Sequence, residues 1–181
     1  VNRFFVPWLN EAVRVYEEGL GSIAGIDAVA RAAFGVGMGP FALMNATGVP
    51  IARHAAEGLA ARLGPFYAPA ETLCQQVASG GDWDLDDHRV AAGGSEQPEA
   101  VRRRLLGAAL GCAAALVSEG VCDATATDLG ARAGLRWPRG PFELTAALGK
   151  DVVAGMVGEL FGRWGLPLPA LPFTLAGELA L

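Results

Sequence analysis

The sequence is poor in charge and in the residues that build metal or disulfide sites. Only 18% of its 181 residues are charged, and it has two histidines and three cysteines. Cys74, Cys112 and Cys122 are odd in number and lack metal-ligand spacing, so we expect reduced thiols in a cytoplasmic protein. His54 and His88 have no third ligand at metal spacing, so no metal site is predicted.

Long hydrophobic runs and an excess of positive charge are also missing. No stretch reaches about 18 apolar residues without a charge or a Gly or Pro break, so we expect no membrane span. The formal net charge is −5, which argues against nucleic acid as a partner. No signal-peptide pattern opens the chain.

What is abundant is apolar surface, since 52% of the residues are hydrophobic. With so few charges, part of that surface is expected to meet a partner, and a homodimer is the symmetric outcome. The first residue is Val1 rather than Met, and Phe4, Phe5 and Trp8 already follow a core-facing pattern. We therefore expect the chain to be a piece of a longer polypeptide.

One motif occurs twice. Residues 38–41 read MGPF and residues 139–142 read RGPF, a displacement of 101 residues. Laying residues 1–64 on 102–165 without a gap matches 18 of 64 positions, about three times what chance would give for such a composition. The chain therefore contains two copies of one unit.

Helical spacing of apolar residues dominates both copies, and no strand pattern competes with it. The pattern predicts five helices before Gly80 and four more after a Gly-, Asp-, Ser- and Pro-rich stretch. We predict an all-α fold with a first repeat over residues 1–85, a linker over 86–97, and a second, degenerate repeat over 98–181. The last part of the second repeat is a Pro-rich tail that could finish in a short helix.

The Gly-Pro-Phe corner is expected to be structural in both copies. Glycine permits a positive φ or a close backbone approach, proline starts a short helix, and phenylalanine fills the core of its unit. The residues concerned are Gly39, Pro40, Phe41, Gly140, Pro141 and Phe142.

Asp27 and its copy Asp128 fall inside helices among apolar neighbours. A carboxylate there is costly unless it is hydrogen-bonded, so we predict that each caps the exposed N–H groups at the start of the following short helix. Plain exposure and catalysis are the alternatives. Glu17 and Glu18, at the end of the first helix, are interpreted as solvated or partner-facing.

The ordered set of motifs resembles the C-terminal domain of the 3-hydroxyacyl-CoA dehydrogenases. Residues 2–12 read NRFFVPWLNEA, and Glu17-Glu18-Gly19, Ile26-Asp27 and the MGPF corner follow in the family's order. The first copy carries the resemblance over residues 1–80, and the second, over 102–165, resembles the degenerate repeat of longer members. Gly37 stands where the family usually has proline, which puts substrate size in doubt.

The resemblance implies a two-domain, NAD-dependent enzyme of fatty-acid β-oxidation. In that family a Rossmann domain binds NAD and carries the proton-transfer pair, while a helical domain of the 6-phosphogluconate dehydrogenase C-terminal type closes over the acyl-CoA and often forms the dimer. This sequence has no glycine fingerprint after a strand. It is therefore expected to be the helical part, to bind no cofactor itself and to be inactive alone.

Asn2 is the family's functional residue that falls on this chain. The resemblance implies that its amide hydrogen-bonds near the catalytic histidine of the other domain and the reacting oxygen of the substrate. The alternative is a helix N-cap, which asparagine also favours. In the second copy the position is Arg103, so that copy is interpreted as structural. Two other functions stay open: a helical assembly or acyl-CoA-binding module without chemistry, and a dehydrogenase acting on small hydroxy acids.

Overall fold

The computed structural model describes residues 1–170, apart from the side chain of Ala92. The end of the predicted Pro-rich tail, with its possible short helix, lies outside these residues. Within them the regular structure is helical and no strand occurs, so the all-α prediction is confirmed.

The first copy folds into five α-helices whose ends follow local signals. Ser22 caps α2, its hydroxyl accepting a hydrogen bond from the N–H of Gly25 at 3.0 Å, while Pro40 occupies the first position of α3. The helices are α1 (Asn2–Glu17), α2 (Ile23–Phe34), α3 (Pro40–Thr47), α4 (Val49–Leu63) and α5 (Glu71–Ser79).

The second copy repeats the first four helices at the same displacement. Asp123 caps α7 through the N–H of Ala126 at 2.7 Å, in the place that Ser22 takes in the first copy. The helices are α6 (Pro98–Ser118), α7 (Ala124–Leu135), α8 (Pro141–Leu148) and α9 (Lys150–Arg163). The second and third helices of each copy begin and end 101 residues apart, so the repeat seen in the sequence is also a repeat of structure.

The most extensive contact between helices joins α1 to α6, the first helix of each copy. α6 is rich in small residues: a Cβ on Gly107 would lie 2.8 Å from the carbonyl oxygen of Met156, and one on Gly111 would lie 2.6 Å from the ring of Phe161. Such contacts let α9 approach α6 closely. With α1 on one side and α9 on another, most residues of α6 are buried, and most residues of α1 are buried as well.

An aromatic cluster joins the two copies beside α1. The Trp137 ring, from the loop after α7, lies 6.0 Å from that of Phe4, 5.6 Å from Trp8 and 5.0 Å from Phe34. Trp8 and Phe4 are almost completely buried. Because large rings bury the most apolar area per residue, this cluster contributes strongly to holding the second copy against the first.

The stretch between α5 and α6 packs against the first copy. Trp83 is buried, and its backbone exchanges two 2.9 Å hydrogen bonds with the amide of Asn45. Further along, the carboxylate of Glu96 accepts from both the N–H and the hydroxyl of Ser22. These contacts anchor the segment between α5 and α6, which includes the predicted linker, to the first copy.

Candidate functional site

Asn2 is the first residue of α1 and is exposed. The N-cap position is occupied by Val1, whose carbonyl accepts from the N–H groups of Phe4 and Phe5. The amide of Asn2 has no hydrogen-bond partner among residues 1–170. Asn2 therefore lies in the first turn rather than at the cap, and its donor and acceptor are free to meet another molecule or domain.

Asn2 begins a row of side chains that winds along α1 at a spacing of three residues. Phe5 is half-buried, and its ring stacks at 5.9 Å on that of Trp8, which is fully buried. At a rise of about 1.5 Å per residue, Trp8 lies roughly 9 Å along the helix axis from Asn2. Phe5 is thus the part of this row that remains accessible, while Trp8 belongs to the core.

The second copy has a different arrangement at the same position. Arg103 replaces Asn2, and its guanidinium donates to both carboxylate oxygens of Glu159, at 3.0 and 2.5 Å. The position of Glu159 corresponds to Gly58 in the first copy, where a Cβ would meet no atom within 4 Å. The first copy therefore leaves a polar group unpaired and open where the second copy has a two-bond ion pair.

The Gly-Pro-Phe corners are built alike in both copies. Asp27 accepts hydrogen bonds from the N–H groups of Phe41 and Ala42, at 2.8 and 3.0 Å. Asp128 does the same for Phe142 and Glu143, at 2.8 and 3.1 Å. Each aspartate thus binds the start of the following helix, as the sequence predicts.

Burial governs the electrostatics of these two carboxylates. It raises the pKa of Asp27 above its ordinary value, although the two backbone hydrogen bonds act in the opposite direction. The same balance raises the pKa of Asp128. Both carboxylates are engaged with backbone N–H groups, which favours a structural role.

The glycines of the corners are required by a close approach. Gly39 has an ordinary φ of −77° and Gly140 one of −74°, so conformational freedom does not explain them. A Cβ on Gly39 would overlap the Cα and carboxylate of Asp27, and one on Gly140 would overlap those of Asp128. The aspartates can reach the next helix only because glycine leaves that space empty.

Phe41 follows the corner and fills the core of the first copy. Its ring meets that of Trp83 edge-on at 4.9 Å and that of Tyr16 at 6.2 Å. Phe142, its copy, is only half-buried.

Asn45, whose amide holds Trp83 in place, was not identified from the sequence, because nothing in its local sequence distinguishes it from a residue on a helix surface.

A buried ionic network joins the copies at the centre of the molecule, and the sequence analysis missed it too. Arg104 donates to Glu11, whose side chain is fully buried, and to both oxygens of Glu18, at 2.8 and 2.9 Å. The hydrogen bond from Arg104 lowers the pKa of Glu18. Arg14 donates to the carbonyl of Phe66 at 2.8 Å and lies 4.4 Å from the Trp164 ring centre.

The described part of the chain contains neither a candidate metal site nor a disulfide. No group of three His, Cys, Asp or Glu side chains within residues 1–170 could hold a metal ion. Cys74, Cys112 and Cys122 are free thiols. None of the described helices is both long enough and apolar enough to cross a bilayer.

The described residues contain no NAD site of the Rossmann type. In the Rossmann fold the dinucleotide pyrophosphate lies on a glycine-rich turn between a strand and a helix, and residues 1–170 contain no strand. The polar groups present at the candidate site are the amide of Asn2 and its neighbouring backbone. They could position a substrate oxygen.

Comparisons with known proteins agree with the architecture. The family model of the 3-hydroxyacyl-CoA dehydrogenase C-terminal domain matches residues 1–84 and 101–173. Human mitochondrial hydroxyacyl-coenzyme A dehydrogenase is 36% identical over 81 residues, and the Sus scrofa enzyme is 35% identical over 80. Each alignment covers 43% of this chain and 26% of the relative.

A solved structure shares the fold. The crystal structure of 3-hydroxybutyryl-CoA dehydrogenase from Escherichia coli K12 superposes with a TM-score of 0.73 at 16% identity, covering 91% of this chain and 56% of that one. The chain thus spans about a quarter of the curated relatives' length and just over half of the solved one. With the family model matched in both copies, the chain belongs to the 3-hydroxyacyl-CoA dehydrogenase C-terminal domain family.

Proposed function

We propose that this chain is the helical, substrate-side part of an NAD-dependent 3-hydroxyacyl-CoA dehydrogenase that oxidises 3-hydroxyacyl-CoA to 3-oxoacyl-CoA in fatty-acid β-oxidation. The family membership supports the reaction class. The observation that carries the proposal is the unpaired, exposed amide of Asn2 at the start of α1. It lies at the position of the family's functional asparagine, which the second copy has replaced by the paired Arg103.

In this proposal NAD, bound by a separate Rossmann domain, accepts the hydride from C3 of the substrate. Asn2 donates a hydrogen bond to the oxygen on C3 and orients the catalytic histidine of that domain. A neutral amide suits this task because it stabilises developing charge without competing for the proton. Phe5, which is half-buried and follows Asn2 on α1, offers apolar surface to the neighbouring part of the acyl-CoA.

The test is substitution of Asn2 in the full-length enzyme. Asn2→Ala should lower kcat by about 10²- to 10³-fold, the usual effect of losing one such donor. Asn2→Ser, which keeps a polar group with a shorter reach, should melt like the parent and also turn over slowly. Normal turnover by both variants would contradict a direct role of Asn2, whereas a full-length protein without any dehydrogenase activity would favour a helical assembly or acyl-CoA-binding module.

Arg103→Ala is the matched control, because Arg103 occupies the same position in the second copy. It should lower stability slightly, since exposed ion pairs contribute about 0–1 kcal/mol, and leave kcat unchanged. Rates on 3-hydroxyacyl-CoA and on free hydroxy acids would separate the proposed reaction from a dehydrogenase of small hydroxy acids.

Two further parts of the proposal concern the setting of the enzyme. Homodimerisation is supported by apolar side chains that stay exposed, among them Met38, Ile51 and Val121. Light scattering at micromolar concentration should then give twice the monomer mass, and a strictly monomeric mass would refute homodimerisation.

A cytoplasmic location is supported by the three free thiols, and cell fractionation would test it.

A further inference from the structure

The residues that follow Asn2 in the first turn of α1 are held by the second copy. Arg3 donates to the carboxylate of Glu119 at 2.5 Å, and the Phe4 ring lies 6.0 Å from that of Trp137. Glu119 follows the end of α6, and Trp137 follows the end of α7. The backbone that carries the asparagine is therefore fixed on its C-terminal side by an ion pair and by a contact between two rings.

Val1, the residue before Asn2, is held by the second copy as well. Its Cγ2 methyl lies 3.1 Å from the position of a Cβ on Gly130 and 3.8 Å from that of a Cβ on Gly134. Residues four apart share one face of a helix, and glycine inside a helix destabilises it relative to alanine. The first copy has Val29 at the position of Gly130. The second copy therefore has glycine where α7 must leave space for the residue next to the asparagine.

We propose that the second copy positions Asn2 for the reaction, with Glu119 and Gly130 as the positioning residues. The inference rests on the proposed function, in which the amide of Asn2 donates to the oxygen on C3 of the substrate. Glu119 acts through Arg3. Gly130 acts through Val1. The asparagine is thus fixed by its two neighbours in the chain, while its own amide has no hydrogen-bond partner among residues 1–170.

Positioning matters here because the donor acts on charge that develops in the transition state. A donor that is already in place stabilises that charge without reorganising, and a misplacement of about 1 Å can cost about 10²-fold in rate. The second copy has Arg103 in place of the asparagine. It is nevertheless part of the catalytic apparatus in this proposal, because it holds the first turn of α1.

The repeat provides a matched control at the other end of α1. Glu18 is the equivalent of Glu119, and Arg104 is the equivalent of Arg3. Glu18 lies roughly 24 Å along the helix axis from Asn2, at a rise of about 1.5 Å per residue. It accepts from Arg104 at 2.8 and 2.9 Å, so its removal breaks more hydrogen bonds than the removal of Glu119. Loss of stability and loss of turnover should therefore separate in the two variants.

Steady-state kinetics of the full-length enzyme with 3-hydroxybutyryl-CoA and NAD tests the positioning. Glu119→Ala should lower kcat and kcat/KM together by about 5- to 30-fold and leave KM nearly unchanged, as expected when a contact made in the transition state is weakened. Glu119→Gln keeps an acceptor for Arg3 and should restore most of the rate. Glu18→Ala should melt at a lower temperature than Glu119→Ala and still turn over like the parent.

A pair of glycine variants tests the contact with Val1. Gly130→Val introduces the side chain that the first copy has there, which displaces Val1 and should lower kcat to a similar extent with KM nearly unchanged. Gly134→Ala, one turn along α7, adds a methyl group at an ordinary contact distance of 3.8 Å and should leave kcat unchanged. Equal kcat values for these two variants would contradict a role for Gly130.

The double variant Asn2→Ala/Glu119→Ala separates this inference from the proposed function. If Glu119 acts through Asn2, the kcat of the double variant should equal that of Asn2→Ala alone. Normal kcat in Glu119→Ala, or an equal loss with and without Asn2, would overturn the positioning and leave the proposed role of Asn2 standing. Normal turnover by Asn2→Ala would overturn both.

Discussion

Arg104 donates two hydrogen bonds to Glu18, and the same ion pair occurs a second time with the copies exchanged. Arg3, which corresponds to Arg104, donates to Glu119, which corresponds to Glu18, at 2.5 Å. Each copy therefore contributes the arginine of one pair and the glutamate of the other. The two units meet through equivalent surfaces, in the manner of an isologous interface within one chain.

The two equivalent ion pairs should differ greatly in energy. Arg104→Met leaves Glu11 and Glu18 without their shared partner, and because Glu11 is completely buried the loss should be about 3 kcal/mol. Arg3→Met breaks a pair whose glutamate is exposed and should cost less than about 1 kcal/mol. Urea unfolding of both variants measures the difference, and equal costs would contradict it.

The pH dependence of stability should report the ion pair of Glu18. Its pKa is lowered from an ordinary 4.5, chiefly by the hydrogen bond from Arg104. Because the folded-state pKa lies below the unfolded one, the stabilisation is present above pH 4.5 and is lost as the pH falls through the folded-state value.

Thermal melts between pH 3 and pH 7 would show this as an acid-side loss of stability. In Glu18→Gln the loss should be smaller, because the titrating group is gone. Glu119→Gln should act in the same direction, since the hydrogen bond from Arg3 lowers the pKa of Glu119. Identical acid profiles for the parent and both variants would refute the assignment.

The corner glycines should tolerate no side chain. Gly39→Ala places a Cβ against Asp27 and should destabilise the protein by about 1–3 kcal/mol through overpacking, and Gly140→Ala should behave alike against Asp128. Gly58→Ala in α4, where a Cβ is unhindered, should instead stabilise by about 0.5–1 kcal/mol. Chemical denaturation of the three variants measures their free energies of unfolding. An unchanged free energy of unfolding for Gly39→Ala would contradict the prediction.

Residues 1–85 should not fold alone. Without the second copy Phe4 and Trp8 lose Trp137, and the buried Glu11 loses Arg104. Repeat units bury their apolar faces on their neighbours. Circular dichroism and size-exclusion chromatography of this fragment should show weak helicity and aggregation, whereas a sharp cooperative melt would count against the dependence of one copy on the other.

The helices were predictable because their signals are local. Ser22 and Asp123 cap helices as their sequence positions indicate, and α3 begins at Pro40. α5 begins at Glu71, two residues after Pro69, where the sequence favours a helix start. Ala70, in extended conformation, takes the cap position there.

The way in which the copies meet was not predictable from periodicity. Glu18 was interpreted as solvated or partner-facing, and the structure pairs it with Arg104 of the second copy. The sequence contained a trace of this ion pair, because both of its residue types recur at equivalent positions of the repeat: Arg3 matches Arg104, and Glu18 matches Glu119. Identities between copies show only that positions are equivalent, and the contact between them depends on tertiary packing.

The candidate site was predictable only in part. Asn2 was identified through resemblance to a family, and its freedom from internal contacts required the structure. The aromatic cluster around Trp8 contains side chains from both copies, which no sequence spacing relates. Trp137 in particular stands where the first copy has Val36.

The anchored segment between the copies affects how their interface responds to dilution. Glu96 binds Ser22, and the N–H of Gln97 donates to the carbonyl of Leu20 at 2.9 Å, directly before α6 begins. α6 is thereby held beside its own first copy at a high effective concentration. The α1–α6 contact is an intramolecular equilibrium, so its strength should be the same at nanomolar and at micromolar protein, unlike an equivalent contact between two separate chains.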